Sequence, residues 1–228
     1  MDRRFDELLA ELKRELTRMS ALAETMITAA IRLLVNRDAT TIKPIREHEE
    51  QVDRMQMQID EMCVNMIALH QPAAGDLRFI FGAAKTNTEL ERLADLAINI
   101  CNKAERLLTD PPIKPFEILP RMASIASLML RDSLHAYVTR DVQKAREVLI
   151  RDDELDRLKE QVTAELVDIM ERDPAAIQRA LALILITRNL ERIGDHATNI
   201  AENAIFVAEG KDIRHRVELR DRGDAPAQ

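Results

Sequence analysis

Tryptophan is absent from the 228-residue sequence, tyrosine occurs once, and there are only five glycines, five phenylalanines and eight prolines. So few turn residues and aromatics argue against a chain of many short strands and tight turns. Cysteine occurs only at positions 63 and 101, inside helical patterns, which leaves no structural disulfide framework and implies a reducing cytoplasm. No run approaches the roughly 18 apolar residues of a membrane span. The N-terminus, "MDRRFDELLA", lacks the apolar core of a secretory signal. A formal charge of −7 disfavours a nucleic-acid binder, which needs a basic face. There is no Gly-rich phosphate loop, no Cys/His zinc spacing and no nucleophile motif.

What remains is 46% apolar and 32% charged, rich in helix formers, and long enough for one large domain or two small ones. The apolar positions predict an all-α fold. Leu8, Leu12, Leu16, Met19, Leu22 and Met26 fall at steps of three and four, an amphipathic helix ending near "NRD" at 36–38. A second helix runs through Val52, Met55, Ile59, Met62 and Met66 and stops at "HQPAAGD". Pro44 fits it in two ways: in the first turn of a helix capped by Thr41, or at a kink in one that starts at Asp38. A third is predicted from about Asp76 to Leu108. "TDPPIKPFEILP" then gathers Pro111, Pro112, Pro115 and Pro120 into a boundary, beyond which the pattern restarts. Met122–Ala136 and Leu155–Ile169 mark two further helices, and a sixth runs from about Ala175 to Glu209, with Gly210 as its stop.

The halves are copies. "LERLADLAINI" (90–100) and "LERIGDHATNI" (190–200) share Leu90/Leu190, Glu91/Glu191, Arg92/Arg192, Asp95/Asp195, Ala97/Ala197, Asn99/Asn199 and Ile100/Ile200. At an offset of 103, "EEQVDRM" (49–55) meets "DDELDRL" (152–158), and "NRD" meets "TRD". The expectation is a tandem of two three-helix bundles, residues 1–110 and 111–210, followed by a charged tail, 211–228.

Packing explains repeated apolar letters but not repeated acids. At about 100° per residue, Glu91, Asp95, Asn99 and Asn102 form one stripe on the third helix. Glu191, Asp195, Asn199 and Glu202 form its copy. Glu49, Asp53 and Asp60 lie on one stripe of the second helix, and Asp152 and Asp156 are the counterparts on the fifth. A single Glu-x-x-x-Asp pair is ordinary surface covering, with nearby arginines such as Arg54 and Arg92 offsetting the repulsion. Four pairs at duplicated positions on facing helices are not ordinary. They point to oxygen-rich sites for a hard or borderline cation such as Mg, Mn, Fe or Zn. The main candidates are Glu49, Asp53, Glu91, Asp95, Asp152, Asp156, Glu191 and Asp195. Asp60, Asn99, Asn199 and Glu202 are weaker. His196 turns off the stripe and its counterpart is Leu96, so it reads as a packing or surface residue.

A tandem of three-helix units with E/D-x-x-x-D motifs on their second and third helices resembles the PhoU family of bacterial phosphate-signalling regulators. "HQPAAGDLR", "ELERLADLAINI", "LERIGDHATNIAENAIF" and "EGKDIRH" carry the likeness, over residues 5–215. The resemblance implies a cytoplasmic six-helix protein whose motifs, here the eight acids above, bind multinuclear metal clusters. It implies a negative regulator linking the phosphate ABC transporter ATPase subunit to a membrane histidine kinase, with contact to the membrane only through those partners. That role would suit a homodimer. Asp152 stands where the first half has Glu49, a departure that bears on the second site. Two rival readings are a metal-free helical scaffold and a ferritin-like di-metal carboxylate enzyme. For the latter the only Glu-x-x-His-like pairs are Asp132/His135 and Asp212/His215, which do not pair with each other.

Overall fold

A computed structural model describes residues 3–113 and 117–213. Among the described residues there are six long helices and no strands. They are α1 (Arg3–Asn36), α2 (Ile42–His70), α3 (Ala74–Leu107), α4 (Ile118–Thr139), α5 (Val142–Arg172) and α6 (Ile177–Glu209). The tail expected at 211–228 lies outside the described residues apart from 211–213, and His215 with it.

The turns follow local chemistry. Asp38 caps a single 3-10 turn, its carboxylate accepting from Thr40 N at 3.2 Å, and α2 then starts at Ile42. Pro44 therefore sits in the first turn of α2, where its missing N–H costs nothing. Asp141, the repeat counterpart of Asp38, caps α5 by accepting from Lys144 N at 3.0 Å. Residues with positive φ end four helices: Arg37 after α1, Gln71 after α2, Arg140 after α4 and Gly210 after α6. The third and sixth helices thus begin close to where the sequence places them. A 3-10 turn, Pro174–Ala176, takes up the start predicted for α6.

α1, α2 and α3 pack on one another, as do α4, α5 and α6, and the 108–117 connection joins the two groups. The groups share one continuous core, because α3 packs along α6 and α1 packs on α4. As the numbering rises along α3 it falls along α6. Gly82 faces Val207, Glu89 faces His196 and Asn199, and Ala104 and Leu183 line one cavity. An antiparallel pairing of duplicated helices places a pseudo-two-fold axis near Ala94 and Gly194. Tyr137 of α4 is wholly buried; its ring stacks on Phe79 of α3 at 5.1 Å and its hydroxyl donates to the Phe79 carbonyl. A stretch of α1 is apolar and long enough to cross a bilayer by length and composition. Here Met19, Ala23, Met26, Ile27, Ala30 and Leu33 turn that apolar side into the core.

The helices leave a second duplicated feature on the outside. Val64 and Val167, Leu77 and Ile177, and Phe81 and Leu181 are repeat counterparts, and all six are exposed. They continue the stripes that carry the paired acids. Asn87 of α3 bonds the Gln56 carbonyl and Asp60 of α2, and this register sets Val64 and Ile67 beside Phe81 and Leu77. Each repeat therefore presents an apolar patch beyond its acidic cluster, and the pseudo-two-fold puts the two patches at opposite ends of the molecule.

Candidate metal sites and family membership

The acids of each repeat lie within electrostatic reach of one another. In the first site Glu49 and Asp53 come from α2, Glu91 and Asp95 from α3. Burial, then Asp53 and Asp95, push Glu49 above the ordinary carboxylate range, and Arg46 only partly offsets them. Glu91 is raised by burial, Asp95 and Asp53, and Asp95 by burial and Asp53. Among the described residues, none of these four side chains has an ion pair or hydrogen bond with the protein. Arg46 is bonded instead to Glu105 at 2.7 Å, and Arg92 to Glu89 at 3.4 Å.

The second site is built alike from α5 and α6. Asp152 is pushed up to about 6, first by burial, then by Asp195, Asp156 and Glu191. Asp195 is raised by burial, Glu191 and Asp156, and lowered in part by His196 and Lys159. The mutual repulsion is the physical content of the motif: burial and neighbouring acids together raise Glu49, Glu91 and Asp95 in the first site and Asp152 and Asp195 in the second. One difference separates the sites. Lys159 of α5 places its ammonium 2.9 Å from Glu191 Oε1 and 3.2 Å from Asp156 Oδ1.

The donor set suits a cation. Carboxylate oxygens on adjacent rigid helices are the ligands that hard divalent ions take, and the Lys159 ammonium in the second site is a positive group held by two of those same acids. Among the described residues, no three acidic, His or Cys side chains stand close enough to enclose one ion as they are.

The weaker candidates fall elsewhere. Asp60 accepts from Asn87 Nδ2 at 2.9 Å and faces Cys63, about two turns from Asp53. Asn199 donates to Glu89 Oε2 at 3.0 Å across the α3–α6 contact. Asn99 is exposed, and Glu202 is half-buried on α6. Cys63 and Cys101 are free and buried; burial lifts Cys63 to about 12, and it raises Cys101 as well, so both are inert thiols. Asp132 is bonded to Arg151 at 2.9 Å and Lys144 at 3.4 Å, an ion-pair position and not that of a di-metal ligand.

Sequence reasoning missed one group. His196 is only 12% exposed, and its Nδ1 donates to Glu89 Oε2 at 2.6 Å. Burial pushes Glu89 up, but hydrogen bonds from His196 and Asn199, with the charges of His196 and Arg92, hold it below its ordinary value. The partners lie 107 positions apart, so no local spacing reveals the pair.

Both repeats match the sequence profile of the PhoU domain, over residues 16–104 and 119–204. The chain belongs to the PhoU family. It is 35% identical over 216 residues to a phosphate-specific transport system accessory protein PhoU homolog of Pseudomonas putida, spanning 94% of this chain and 84% of that one. The corresponding homolog of Zymomonas mobilis is 36% identical over 217 residues, spanning 95% of this chain and 92% of its own length. The crystal structure of PhoU from Pseudomonas aeruginosa superposes with a TM-score of 0.87 at 34% identity, covering 91% of this chain and all of that one. The phosphate transport system regulatory protein PhoU from Streptococcus pneumoniae shares the fold, with a TM-score of 0.84 at 24% identity over 91% of this chain and 98% of that one. The helix count and order expected from the repeats are those of the family's solved structures.

Proposed function

We propose that this chain is a negative regulator of the phosphate-starvation response. It acts in the cytoplasm as an adaptor between the phosphate ABC transporter ATPase subunit and a membrane histidine kinase, and it reaches the membrane through them. The name its relatives carry, accessory protein of the phosphate-specific transport system, supports the transporter side. The observation that carries the docking role is the duplicated exposed row Val64/Val167, Leu77/Ile177 and Phe81/Leu181. Apolar side chains kept in solvent at matching positions of two repeats have no packing role within the chain, and patches of this kind mark protein–protein contact. The pseudo-two-fold suits a homodimer or a two-armed partner.

In this reading Glu49, Asp53, Glu91 and Asp95 hold metal in one site, and Asp152, Asp156, Glu191 and Asp195 are the equivalent set in the other. Divalent or trivalent ions, including small clusters of them, would relieve the repulsion that raises Glu49, Glu91, Asp95, Asp152 and Asp195. A cation held between the paired acids would fix the helix spacing on which the apolar patches ride. The role is regulatory and not catalytic.

The test is a pull-down from phosphate-replete cells, probed for the transporter ATPase and the kinase, beside a deletion strain. Capture of both, with starvation genes expressed in high phosphate after deletion, is the expected result. Normal repression in the deletion strain, with no second copy to compensate, would sink the reading.

A further inference from the structure

The two acidic sites are copies in sequence but not in charge. In the second, the Lys159 ammonium bridges Glu191 Oε1 at 2.9 Å and Asp156 Oδ1 at 3.2 Å, joining α5 to α6. The residue at the equivalent place in the first site is Gln56, whose backbone carbonyl accepts from Asn87 Nδ2 at 2.8 Å. A glutamine brings no charge. Glu49, Asp53, Glu91 and Asp95 are left without an ion pair among the described residues, because Arg46 and Arg92 are turned to Glu105 and Glu89. The helix facing the acids differs too. Gly194 lies so close to the second site that a Cβ there would meet Leu155 Cδ2 at 2.6 Å and Asp152 Oδ1 at 3.0 Å, whereas the first site has Ala94. The second site is therefore tighter and already holds a cation of its own.

We propose that Lys159 is a tethered counterion that closes the second site to free metal, so that the first site is the one that loads and unloads with the ion supply. This rests on the metal-binding reading above for the first site and replaces the ion by the ammonium in the second. The ammonium satisfies two of the acids an incoming ion would need, and its tether gives it an effective concentration on the order of millimolar. Metal can enter only by breaking two charge-assisted hydrogen bonds, and this costs at least about a tenfold loss of affinity by the usual strength of such bonds. One site is thereby left as a permanent α5–α6 clamp, and the other becomes responsive.

Mn2+ titration of the full chain, followed by equilibrium dialysis and by loss of the free-ion EPR signal, tests this. Wild-type protein should show one tight class of sites, removed by Glu49→Ala with Asp53→Ala and little changed by Asp152→Ala with Asp156→Ala. Lys159→Gln should add a second class of sites, at least about tenfold tighter than in wild type, and Lys159→Arg should not. Gln56→Lys, which copies the counterion into the first site, should weaken that site by a similar factor, and it keeps the test alive if Lys159→Gln fails to fold. Equal loading of both halves in wild type, with Lys159→Gln and Gln56→Lys without effect, overturns the lysine's role while leaving metal binding standing. Absence of Mn2+ binding in every folded variant overturns the metal reading itself, and this proposal with it.

Discussion

His196 Nδ1 lies 2.6 Å from Glu89 Oε2, and that bond ties α6 to α3 across the seam between the two repeats. Asn199 donates to the same oxygen at 3.0 Å. The duplicated pairing is made only once among the described residues. At the pseudo-symmetric position Asn189 stands for Glu89 and Leu96 for His196, and the Asn189 Nδ2 atom is buried without a partner. Divergence has thus kept this polar contact on one side of the pseudo-two-fold only, beside the Arg131–Glu24 ion pair and the Tyr137–Phe79 hydrogen bond that also join the two repeats.

Replacing Glu89 by leucine should therefore cost more than one hydrogen bond. It would strand the half-buried His196, while the exposed Asn199 turns to water, a loss of roughly 1–3 kcal/mol. The sign with pH follows from the lowered carboxyl. A depressed carboxylate stabilises the fold above its unfolded value and loses that effect as pH falls through the folded one. Urea unfolding of wild type and Glu89→Leu should show the largest gap near neutrality, shrinking below about pH 4. A gap that grows in acid would contradict the assignment.

Asp152 gives the opposite dependence. Its folded value of about 6 lies above the ordinary aspartate value of 3.8, so the folded state holds a proton that the unfolded chain has released. Its stabilising contribution is complete below the unfolded value and disappears as pH rises through about 6. Metal-free protein should lose stability between about pH 4 and 6 in a step that Asp152→Asn shrinks, the other raised acids supplying the rest. Calorimetric melts across that window, with and without the substitution, read it directly. If the melting temperature of wild type rose through the window and the substitution changed nothing, burial of this carboxyl would be excluded.

Gly194 and Ala94 make a matched pair. In an open helix Gly→Ala gains about 1 kcal/mol. At 194 the added methyl would meet Leu155 at 2.6 Å and Asp152 at 3.0 Å, and overpacking of this kind costs about 1–3 kcal/mol. Gly194→Ala should therefore destabilise, or at best leave stability unchanged. Ala94→Gly should cost close to the full propensity difference. A clear rise in the melting temperature of Gly194→Ala would show that the second site has room the structure does not give it.

How much of this was legible in the sequence depends on distance along the chain. Helix positions were, because a three- and four-residue apolar period needs only local sequence and because "NRD", "HQPAAGD" and Gly210 mark the turns. The paired acids were legible as a repeat, since Glu91 and Glu191 occupy the same letter of the same phrase. The seam was not. That α3 lies antiparallel on α6, and that Glu89 meets His196, depends on how two apolar faces dock, and neither face names its partner. His196 read as a stray because its counterpart is Leu96. Lys159 follows directly on the phrase read for its acids, and only the structure shows its ammonium turned between Asp156 and Glu191. Asp60 shows the converse: it shares a stripe with Asp53, yet Asn87 holds it away from the cluster.

Phe81 and Leu181 carry the last prediction. They are 50% and 43% exposed, at the same register of the two repeats. Charging them should leave the fold intact, because an exposed helix position tolerates Asp at a cost of well under about 1 kcal/mol beyond propensity. The Lys85 ammonium sits 4.5 Å above the Phe81 ring, and removing the ring forfeits only that cation–π attraction, which is small at an exposed site. If the patches dock a partner, each missing anchor should weaken capture by the roughly 2 kcal/mol typical of a buried aromatic or aliphatic hot spot, about thirtyfold. Phe81→Asp or Leu181→Asp alone should then reduce co-purification of the transporter ATPase from phosphate-replete cells. The double substitution should abolish it and release the starvation genes, with circular dichroism unchanged. Undiminished capture by the folded double variant would place the docking surface elsewhere on the bundle. Weakened capture with one substitution and none with the other would mean that a single repeat faces the partner, with the pseudo-two-fold a record of duplication and not of use.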